Sequence, residues 1–323
     1  MAKVSDALEL HREAIVIDGL NASVLDDEYL DKLLAGGVTA VNWTVAMNQN
    51  VGETVKRIAD VYSLIRRNRG KALLVTRVDD IYRAKREGKV GIILGFQNIA
   101  PLEGRLDMVD VYHRLGVRII QLTYHFRNEA GDGCLEPSDS GLSLFGRKLV
   151  RKLNDVGIVI DLAHVGRATS LDAVRESRHP VIASHSNVRA LVDTYQNKSD
   201  EEIVEIARKG GVIGVTAFPR LLGDRPGLSV KDMVKHIDYI VDLVGIDHVG
   251  IGTDLAEGWA ESPVLRRKLI AIDGKVYVWP EGIRSASQFP NITAELLSLG
   301  YSEREVKKIL GENFLRVFKE VFK

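Results

Sequence analysis

Eight short apolar runs rich in β-branched residues recur along this chain, and charged amphipathic stretches separate them. The runs cover residues 14–20, 38–45, 90–97, 117–124, 158–164, 181–186, 211–218 and 248–254. Their nearly continuous hydrophobicity is typical of strands that are buried on both faces. The stretches between them carry the 3.6-residue period of helices, as in Val51–Arg69, Phe145–Val156 and Lys231–Val244. Alternating β and α units of this kind predict a parallel sheet.

The number of units favours a closed barrel. Eight of them in 323 residues predict an α/β protein with a (β/α)8 TIM barrel rather than an open doubly wound sheet. Because 45% of the residues are hydrophobic, we expect one large core and a single domain over residues 1–323. A long loop over residues 255–290, with Trp259, Tyr277 and Trp279, is expected to act as a lid or a dimer contact, and helices are expected over residues 291–323.

Charge and cysteine content narrow the classes of partner. Lys and Arg together number 44, as do Asp and Glu, and no basic block carries interleaved aromatic residues, so we expect no nucleic-acid binding. A small neutral or zwitterionic ligand suits this balance better. No apolar run approaches the roughly 18 residues of a membrane span, and the N-terminus lacks an apolar signal core, so we expect a cytoplasmic protein. Cys134 is the only cysteine, which excludes an intramolecular disulfide and a cysteine-cluster zinc site.

Three candidate metal-site residues close predicted strands. His164 ends the fifth run, His185 the sixth and Asp254 the eighth. Because the strand C-termini of a barrel converge at one mouth, we expect these side chains to meet there. Imidazole is a good zinc ligand, and a catalytic zinc has about three protein ligands and an open position for water. The combination predicts a metal site, although a single histidine at a strand end more often is a hydrogen-bonded core residue.

Polar neighbours of these residues have structural explanations. Asp161 lies three residues before His164 in the same predicted strand, so its side chain is expected on the opposite face. Asp18 is expected to be a buried hydrogen-bonding group that pins the first strand. Three polar residues that flank His185 are expected either to orient its ring or to cap the following helix: Ser184, Ser186 and Asn187.

The most specific stretches of the sequence are Gly116–Tyr124, Gly141–Arg147, Asp161–Val165, Ser184–Leu191, His248–Asp254 and Gly311–Phe318. Together they resemble the membrane (renal) dipeptidase family, peptidase family M19, of the amidohydrolase-like metallo-dependent hydrolases. The resemblance extends from Ile15 to Phe318. It implies a TIM barrel that hydrolyses dipeptides with two zinc ions bridged by a glutamate, and it implies a homodimer.

Only part of the family's metal site has matching residues here. His164 and His185 match the two histidines of the second zinc, and Asp254 matches the aspartate that handles the proton. The family's first-strand motif Asp-Gly-His-Asn-Asp is Asp-Gly-Leu-Asn-Ala at residues 18–22, so the first zinc loses its histidine and its aspartate. Gln97 occupies the position of the bridging glutamate, and its neutral amide cannot bridge two cations. The resemblance therefore implies a divergent branch with at most one divalent ion, zinc by preference, or none.

The substrate side of the site departs from the family as well. Where the family has a histidine after Leu-Thr, this chain has Tyr124. The adjacent His125 can replace that histidine only if the strand has ended there. Where the family has the arginine that holds the dipeptide carboxylate, this chain has Gln196. The bidentate contact between a guanidinium and that carboxylate is therefore missing at this position. Three arginines are candidates to replace it, and each also suits an ordinary surface or ion-paired role: Arg127, Arg220 and Arg284. An amide-rich mouth is predicted from Gln97, Asn98 and Asn21.

These observations lead to one leading hypothesis and two alternatives. The leading hypothesis is a metal-dependent hydrolase of dipeptides or similar small amides, in which one ion on His164 and His185 lowers the pKa of water toward about 7. Asp254 transfers the proton to the leaving amine, and Tyr124 or His125 stabilises the oxyanion. The lost ligands motivate the first alternative, a metal-free or non-hydrolytic enzyme or small-ligand binder on the same barrel. A purely structural interaction module is disfavoured by the polar mouth.

Overall fold

The computed structural model describes residues 4–223, 225–259 and 278–323. Within these ranges nine parallel strands form one sheet. Their bounds are β1 Ile17–Asn21, β2 Ala40–Ala46, β3 Ala72–Leu74, β4 Val90–Phe96, β5 Val117–Gln121, β6 Val159–Asp161, β7 Ile182–Ala183, β8 Val212–Val215 and β9 Val249–Ile251.

Eight of these strands close into a barrel. The sheet runs in the order β2-β1-β9-β8-β7-β6-β5-β4, and β4 pairs back with β2 from Ala40↔Gly91 onward. The predicted TIM barrel is therefore confirmed, and each predicted run overlaps one barrel strand. The sequence analysis missed β3, which pairs with the first residues of β4 at Ala72↔Val90. The apolar run around β3 spans only the four residues 72–75, whereas the eight predicted runs span six to eight residues each.

One helix precedes the first strand, and the others lie between successive strands and after the last one. Their bounds are α1 Val4–Glu13, α2 Asp27–Ala35, α3 Val51–Arg67, α4 Val78–Glu87, α5 Met108–Arg114, α6 Leu144–Val156, α7 Arg167–Glu176, α8 Asp200–Arg208, α9 Pro219–Leu222, α10 Val230–Val244, α11 Pro290–Ser298, α12 Glu303–Lys307 and α13 Asn313–Val321. A π-helical turn, Lys308–Glu312, joins the last two. The three helices predicted by periodicity, α3, α6 and α10, have nearly the predicted bounds. Among the described helices, none has the length and apolarity needed to span a bilayer.

The C-terminal helix α13 closes the end of the barrel at which the strands begin. Phe314 of this helix clusters with four residues that each begin a strand: Ile17, Val159, Ile182 and Val212. Glycines make room for its ring, because a Cβ added at Gly19 or at Gly250 would lie 2.6 Å from a ring carbon. With this end filled, the opposite mouth is left for a site.

The predicted loop over residues 255–290 is described only in part. Residues 260–277, with Tyr277, lie outside the described residues, so the role of a lid or dimer contact stays a prediction. On one side of this gap, Trp259 Nε1 donates to the carbonyl of Ala22 at 2.6 Å. On the other side, the rings of Trp279 and Phe218 pack with their centroids 5.8 Å apart. The single domain over residues 1–323 also stays a prediction, whereas α11, α12 and α13 lie where C-terminal helices were expected.

We predict that Phe314→Ala lowers the free energy of unfolding by about 3–5 kcal/mol, because removing a fully buried ring leaves a cavity. Leu144→Ala is the control, since that side chain is 81% exposed, and it should change the free energy by less than about 0.5 kcal/mol. Denaturant titrations followed by circular dichroism measure both. If Phe314→Ala costs no more than the control, the ring does not hold the barrel end closed.

Candidate functional site

The strand C-termini surround one pocket of about 440 Å³. Most of the residues that the sequence assigns to the site line it: Gln97, Tyr124, His125, His164, Gln196, Arg220 and Asp254. Apolar and aromatic side chains complete much of the wall, among them Met47, Phe126, Leu135, Tyr195, Phe218 and Trp259. Barrel closure thus brings residues distant in sequence to one mouth, as expected.

Four of the predicted site residues lie off the pocket wall: His185, Asn98, Asn21 and Arg284. His185 is fully buried behind His164. The amide of Asn21 donates to Asp18 Oδ2 at 3.0 Å and so serves a buried network instead of the mouth. The amide of Asn98 donates at 2.6 Å to Oδ1 of Asn48, which itself lines the pocket. Arg284 is exposed. Of the three amides predicted to form an amide-rich mouth, only Gln97 lines the pocket, and the other amides on its wall are Asn48, Gln49 and Gln196.

The key side chains stand beyond the strand ends, in left-handed backbone. β6 ends at Asp161 and β9 at Ile251, so the predicted strands were too long at both places. His125, His164 and Asp254 have φ values of 64°, 55° and 54°. Such a conformation costs a non-glycine residue about 1–2 kcal/mol, and its concentration here is typical of a functional site. Within the described part of the chain, Glu103 is the only other non-glycine residue with positive φ.

These turns change which side chains face the site. Because β5 ends at Gln121, the alternation of faces no longer applies at Tyr124 and His125, and both line the pocket. The strand has thus ended before His125, which was the condition for His125 to replace the family's histidine at the mouth. Likewise, Asp161 does not point away from the site as the strand period implied, since its carboxylate reaches His185 through Ser184.

A chain of hydrogen bonds runs from Asp161 through the histidines. Ser184 Oγ donates to Asp161 Oδ2 at 2.5 Å and lies 2.7 Å from His185 Nδ1. His185 Nε2 lies 2.8 Å from His164 Nε2, and His164 Nδ1 lies 3.2 Å from His125 Nδ1. Every link is within hydrogen-bonding distance.

The donor-to-acceptor direction of these hydrogen bonds determines the tautomers of His185 and His164. Since the Ser184 hydroxyl donates to Asp161, its oxygen accepts from His185, which places the proton of His185 on Nδ1. The bare Nε2 of His185 then accepts from His164 Nε2, so His164 carries its proton there. His164 Nδ1 is consequently left with a free lone pair that points toward His125.

Burial keeps the three imidazoles neutral. It lowers the pKa of His125 to about 4, with a further contribution from the charge of Arg220. It lowers the pKa of His185 to about 3, and it holds the pKa of His164 well below its usual range. Neutral imidazole is the protonation state that metal ligation requires.

The two carboxyls on the opposite side have raised pKa values. Burial raises the pKa of Asp254 well above its usual range, and the charge of Asp18 raises it further. Burial also raises the pKa of Asp18 to about 6, although its oxygens accept from Thr253 N at 2.8 Å and from Thr253 Oγ1 at 2.7 Å. Asp18 is thus the buried group expected from the sequence, joining β1 to the end of β9. A carboxyl such as Asp254 can exchange a proton near neutral pH.

Cys134 lies next to the histidines, and the sequence analysis missed this contact. Its Sγ is 3.7 Å from His125 Nδ1, and the ligand atoms of His125, Cys134 and His164 all lie within 4.8 Å of one another. A single cysteine excludes a metal site built from several cysteines, but it does not exclude a site in which one cysteine joins histidines. No periodicity could reveal the contact, because a loop of irregular structure brings Cys134 back to the mouth.

The position that the resemblance assigns to a first zinc is apolar or neutral. Leu20 is buried in the core, and Ala22 lines the pocket. Gln97 Nε2 donates to Thr44 Oγ1 at 2.7 Å. Gln196, at the place of the family arginine, has its Nε2 3.4 Å from the carbonyl of His185.

Of the three arginines considered for the substrate carboxylate, only Arg220 lines the pocket. Its guanidinium lies over the ring of Tyr195, 4.5 Å from the ring centroid. Arg127 is off the wall and is ion-paired with Asp132. A cation at the mouth can attract an anionic end of a ligand.

Comparisons with known proteins find relatives along the whole chain. The family model for the membrane dipeptidases (peptidase family M19) matches residues 5–266 and 268–323. The dipeptidase tcpJ of Claviceps purpurea (strain 20.1) is 29% identical over an alignment of 315 residues that covers 90% of this chain and 68% of the relative.

Solved structures share the architecture. An amidohydrolase from Pseudomonas aeruginosa is 40% identical, with a TM-score of 0.93 over 98% of this chain and 99% of that one. The probable dipeptidase PvdM from the same organism is 25% identical, with a TM-score of 0.85 over 98% of each chain. This chain and the two solved structures thus share one fold along nearly their whole length.

Asp18 generates a prediction about stability and pH. Because folding raises its pKa from 3.8 to about 6, the stability that it contributes is complete below pH 4 and is lost as the pH rises through 6. We expect the unfolding free energy of the wild type to fall by about 3 kcal/mol relative to that of Asp18→Asn between pH 4 and pH 7. Denaturant titrations at both pH values measure this difference. Asp193→Asn, at an exposed carboxyl, should follow the wild type, and an Asp18→Asn profile that does the same would refute the assignment.

Proposed function

The chain belongs to the membrane dipeptidase family, peptidase family M19, and we propose on that basis that it hydrolyses dipeptides or related small amides with at most one divalent ion. The observation that supports this most is the composition of the mouth. Neutral histidines and a carboxyl of raised pKa, Asp254, border one pocket at the C-terminal ends of the strands. Metal-dependent hydrolysis commonly combines an ion that activates water with a carboxyl group that transfers protons.

Two ions do not fit the residues of this mouth. Leu20 and Ala22 carry no ligand atom, and the amide of Gln97 supplies no charge to bridge two cations. One ion does fit, because several imidazole nitrogens converge there. The sequence points to His164 and His185 as its ligands, and His164 is the ligand that we propose for any ion in this pocket. Zinc is the ion that we expect, and a cytoplasmic homodimer is the state that we expect for the protein.

Proton transfer is the role that we propose for Asp254. When bound, a divalent ion supplies polarisation of the scissile carbonyl and a lower pKa for water. Asp254 takes the proton from the attacking water and delivers it to the leaving amine. The burial that raises its pKa makes its carboxylate a stronger proton acceptor.

Tyr124 and His125 are the proposed donors to the oxyanion. The ring of Tyr124 packs against that of His164 with centroids 4.5 Å apart, so its hydroxyl is held at the same wall of the pocket. Burial raises the pKa of Tyr124, which keeps the hydroxyl protonated and able to donate. A donor fixed in this way stabilises charge that develops on the carbonyl oxygen.

A metal-free enzyme or small-ligand binder is the second candidate. It is favoured by the direct hydrogen bonds between the imidazoles of His125, His164 and His185, which satisfy these rings without an ion. Metal analysis of the purified protein separates the two candidates. One tightly bound equivalent argues for the hydrolase, whereas absence of metal together with no dipeptide hydrolysis after addition of zinc, manganese or cobalt argues for the second candidate.

We predict that Asp254→Asn lowers kcat for dipeptide hydrolysis by about 10²–10⁴-fold, because the amide cannot transfer the proton. Zinc content and thermal stability should stay close to those of the wild type. Asp193→Asn, which changes an exposed carboxyl outside the pocket, is the matched control and should retain full activity. Steady-state kinetics on a dipeptide panel decide the matter, and an Asp254→Asn enzyme of normal kcat would remove Asp254 from the mechanism.

We predict that Arg220→Gln raises KM for dipeptides by about 10–100-fold, because a charged hydrogen bond to the substrate carboxylate is worth about 1.5–3 kcal/mol. Two controls accompany the variant. Arg127→Gln removes an arginine off the pocket wall and should leave KM unchanged. A dipeptide amide has no carboxylate, so the wild type and Arg220→Gln should show the same KM for it. An equal loss on both substrates would show that Arg220 does not recognise the carboxylate.

A further inference from the structure

The structure places a thiol among the imidazoles at the mouth. We infer that His125 Nδ1, His164 Nδ1 and Cys134 Sγ together form the binding site for one divalent ion such as zinc or cobalt. With His125 as a ligand, Tyr124 is left as the donor to the oxyanion. Within the described residues, this is the one group of three histidine, cysteine or acidic side chains whose ligand atoms lie this close together. The inference rests on the proposed function only for the use of the ion in catalysis, and metal binding tests it separately.

The distances fit tetrahedral coordination. With Zn–N bonds of about 2.0–2.1 Å and a Zn–S bond of about 2.3 Å, two nitrogens lie about 3.3 Å apart and a nitrogen and a sulfur about 3.6 Å apart. His125 Nδ1 and His164 Nδ1 are 3.2 Å apart, and Cys134 Sγ is 3.7 Å from His125 Nδ1. The remaining pair, Cys134 and His164, lies within 4.8 Å and needs the largest adjustment.

The alternative pair, His164 and His185, fits less well. Their Nε2 atoms are 2.8 Å apart, which is a hydrogen-bonding distance and about 0.5 Å shorter than two ligands of one zinc require. The proton order also opposes this pair, because His164 carries its proton on Nε2 and donates it to His185. The same order leaves Nδ1 of His164 bare on the side of Cys134 and His125.

His185 then has a different role, that of a positioning residue for His164. Metal-bound histidines donate their other N–H group to a fixed partner, which holds the ring orientation. His185 is that partner, and Ser184 and Asp161 in turn hold His185. The hydrogen-bond chain thus ends at the nitrogen that we assign to the ion.

The backbone fixes Cys134 against both histidines. Cys134 N donates to the carbonyl of His164 at 2.9 Å, and Leu135 N donates to the carbonyl of His125 at 2.8 Å. Gly133 forms an antiparallel bridge with Val165, and a Cβ added at Gly133 would lie 2.3 Å from the carbonyl carbon of His125. This close approach requires glycine, so the loop holds the thiol in place before any ion binds.

Charge and access are consistent with such a site. A bound ion displaces the thiol proton, so Cys134 supplies a negative charge that neither Gln97 nor Ala22 provides. Thiolate and imidazole together suit zinc and cobalt better than magnesium or calcium. His125 and His164 line the pocket while Cys134 does not, so an open coordination position would face the substrate cavity.

Cobalt titration of chelator-stripped protein tests the site. A thiolate ligand gives cobalt(II) an intense near-ultraviolet charge-transfer band, which a site of imidazoles alone does not give. We expect this band in the wild type and in His185→Ala. Cys134→Ser and Cys134→Ala should lose the band, with zinc affinity lowered by more than about tenfold. A wild type without the band, or Cys134 variants with wild-type zinc affinity, would overturn the inference.

A second measurement needs no variant. Because Cys134 is the only cysteine, alkylation by iodoacetamide reports on one thiol. A thiolate bound to zinc should react at least about tenfold more slowly than the thiol of the stripped protein. Equal rates with and without zinc would show that the thiol is not a ligand.

The outcomes separate this site from the proposed function. A thiolate band without hydrolysis of any dipeptide keeps the site and refutes the hydrolase. Zinc-dependent hydrolysis that Cys134→Ala retains, without a thiolate band, keeps the hydrolase and refutes the site.

Discussion

Parallel closure of the barrel, in which β4 pairs back with β2, determines where every functional side chain lies. It carries the C-terminal ends of β5, β6, β7 and β9 to one mouth, although these strands are far apart in sequence. Phe314 fills the other end among the first residues of the strands. Only one end is therefore left open, and the pocket forms there.

The left-handed turns at this mouth convert strand ends into a site. Without them, His125 would alternate with Tyr124, and Asp161 would face away from His164. With them, the histidines converge on one point, and Asp161 stabilises their orientation through Ser184. The conformational cost of three positive φ angles is offset by the barrel and by backbone hydrogen bonds such as that from Asp254 N to the carbonyl of Leu20 at 3.0 Å.

The sequence predicted the barrel because each of its eight strands overlaps an apolar run of six to eight residues, and it predicted His164 and Asp254 at the mouth because strand order determines convergence. It could not predict β3, because the apolar run around that strand spans only the four residues 72–75. Asn21 and Asn98 were assigned to the mouth by residue type, but the amide of Asn21 is engaged by the buried Asp18 and that of Asn98 by Asn48 of the pocket wall. Cys134 was missed because hydrogen bonds of an irregular loop, which have no periodic signature, bring it to His125 and His164.

We propose that this mouth holds one ion on His164, not the pair of ions that the family resemblance implies. Leu20, Ala22 and Gln97 remove one ion position and the bridge, while imidazole and thiol atoms remain for the other. Anomalous diffraction from a zinc-loaded crystal, recorded at the zinc absorption edge, tests this most directly. The account predicts one peak per chain, between His125, Cys134 and His164. Two peaks in the mouth, or no peak at saturating zinc, would contradict it.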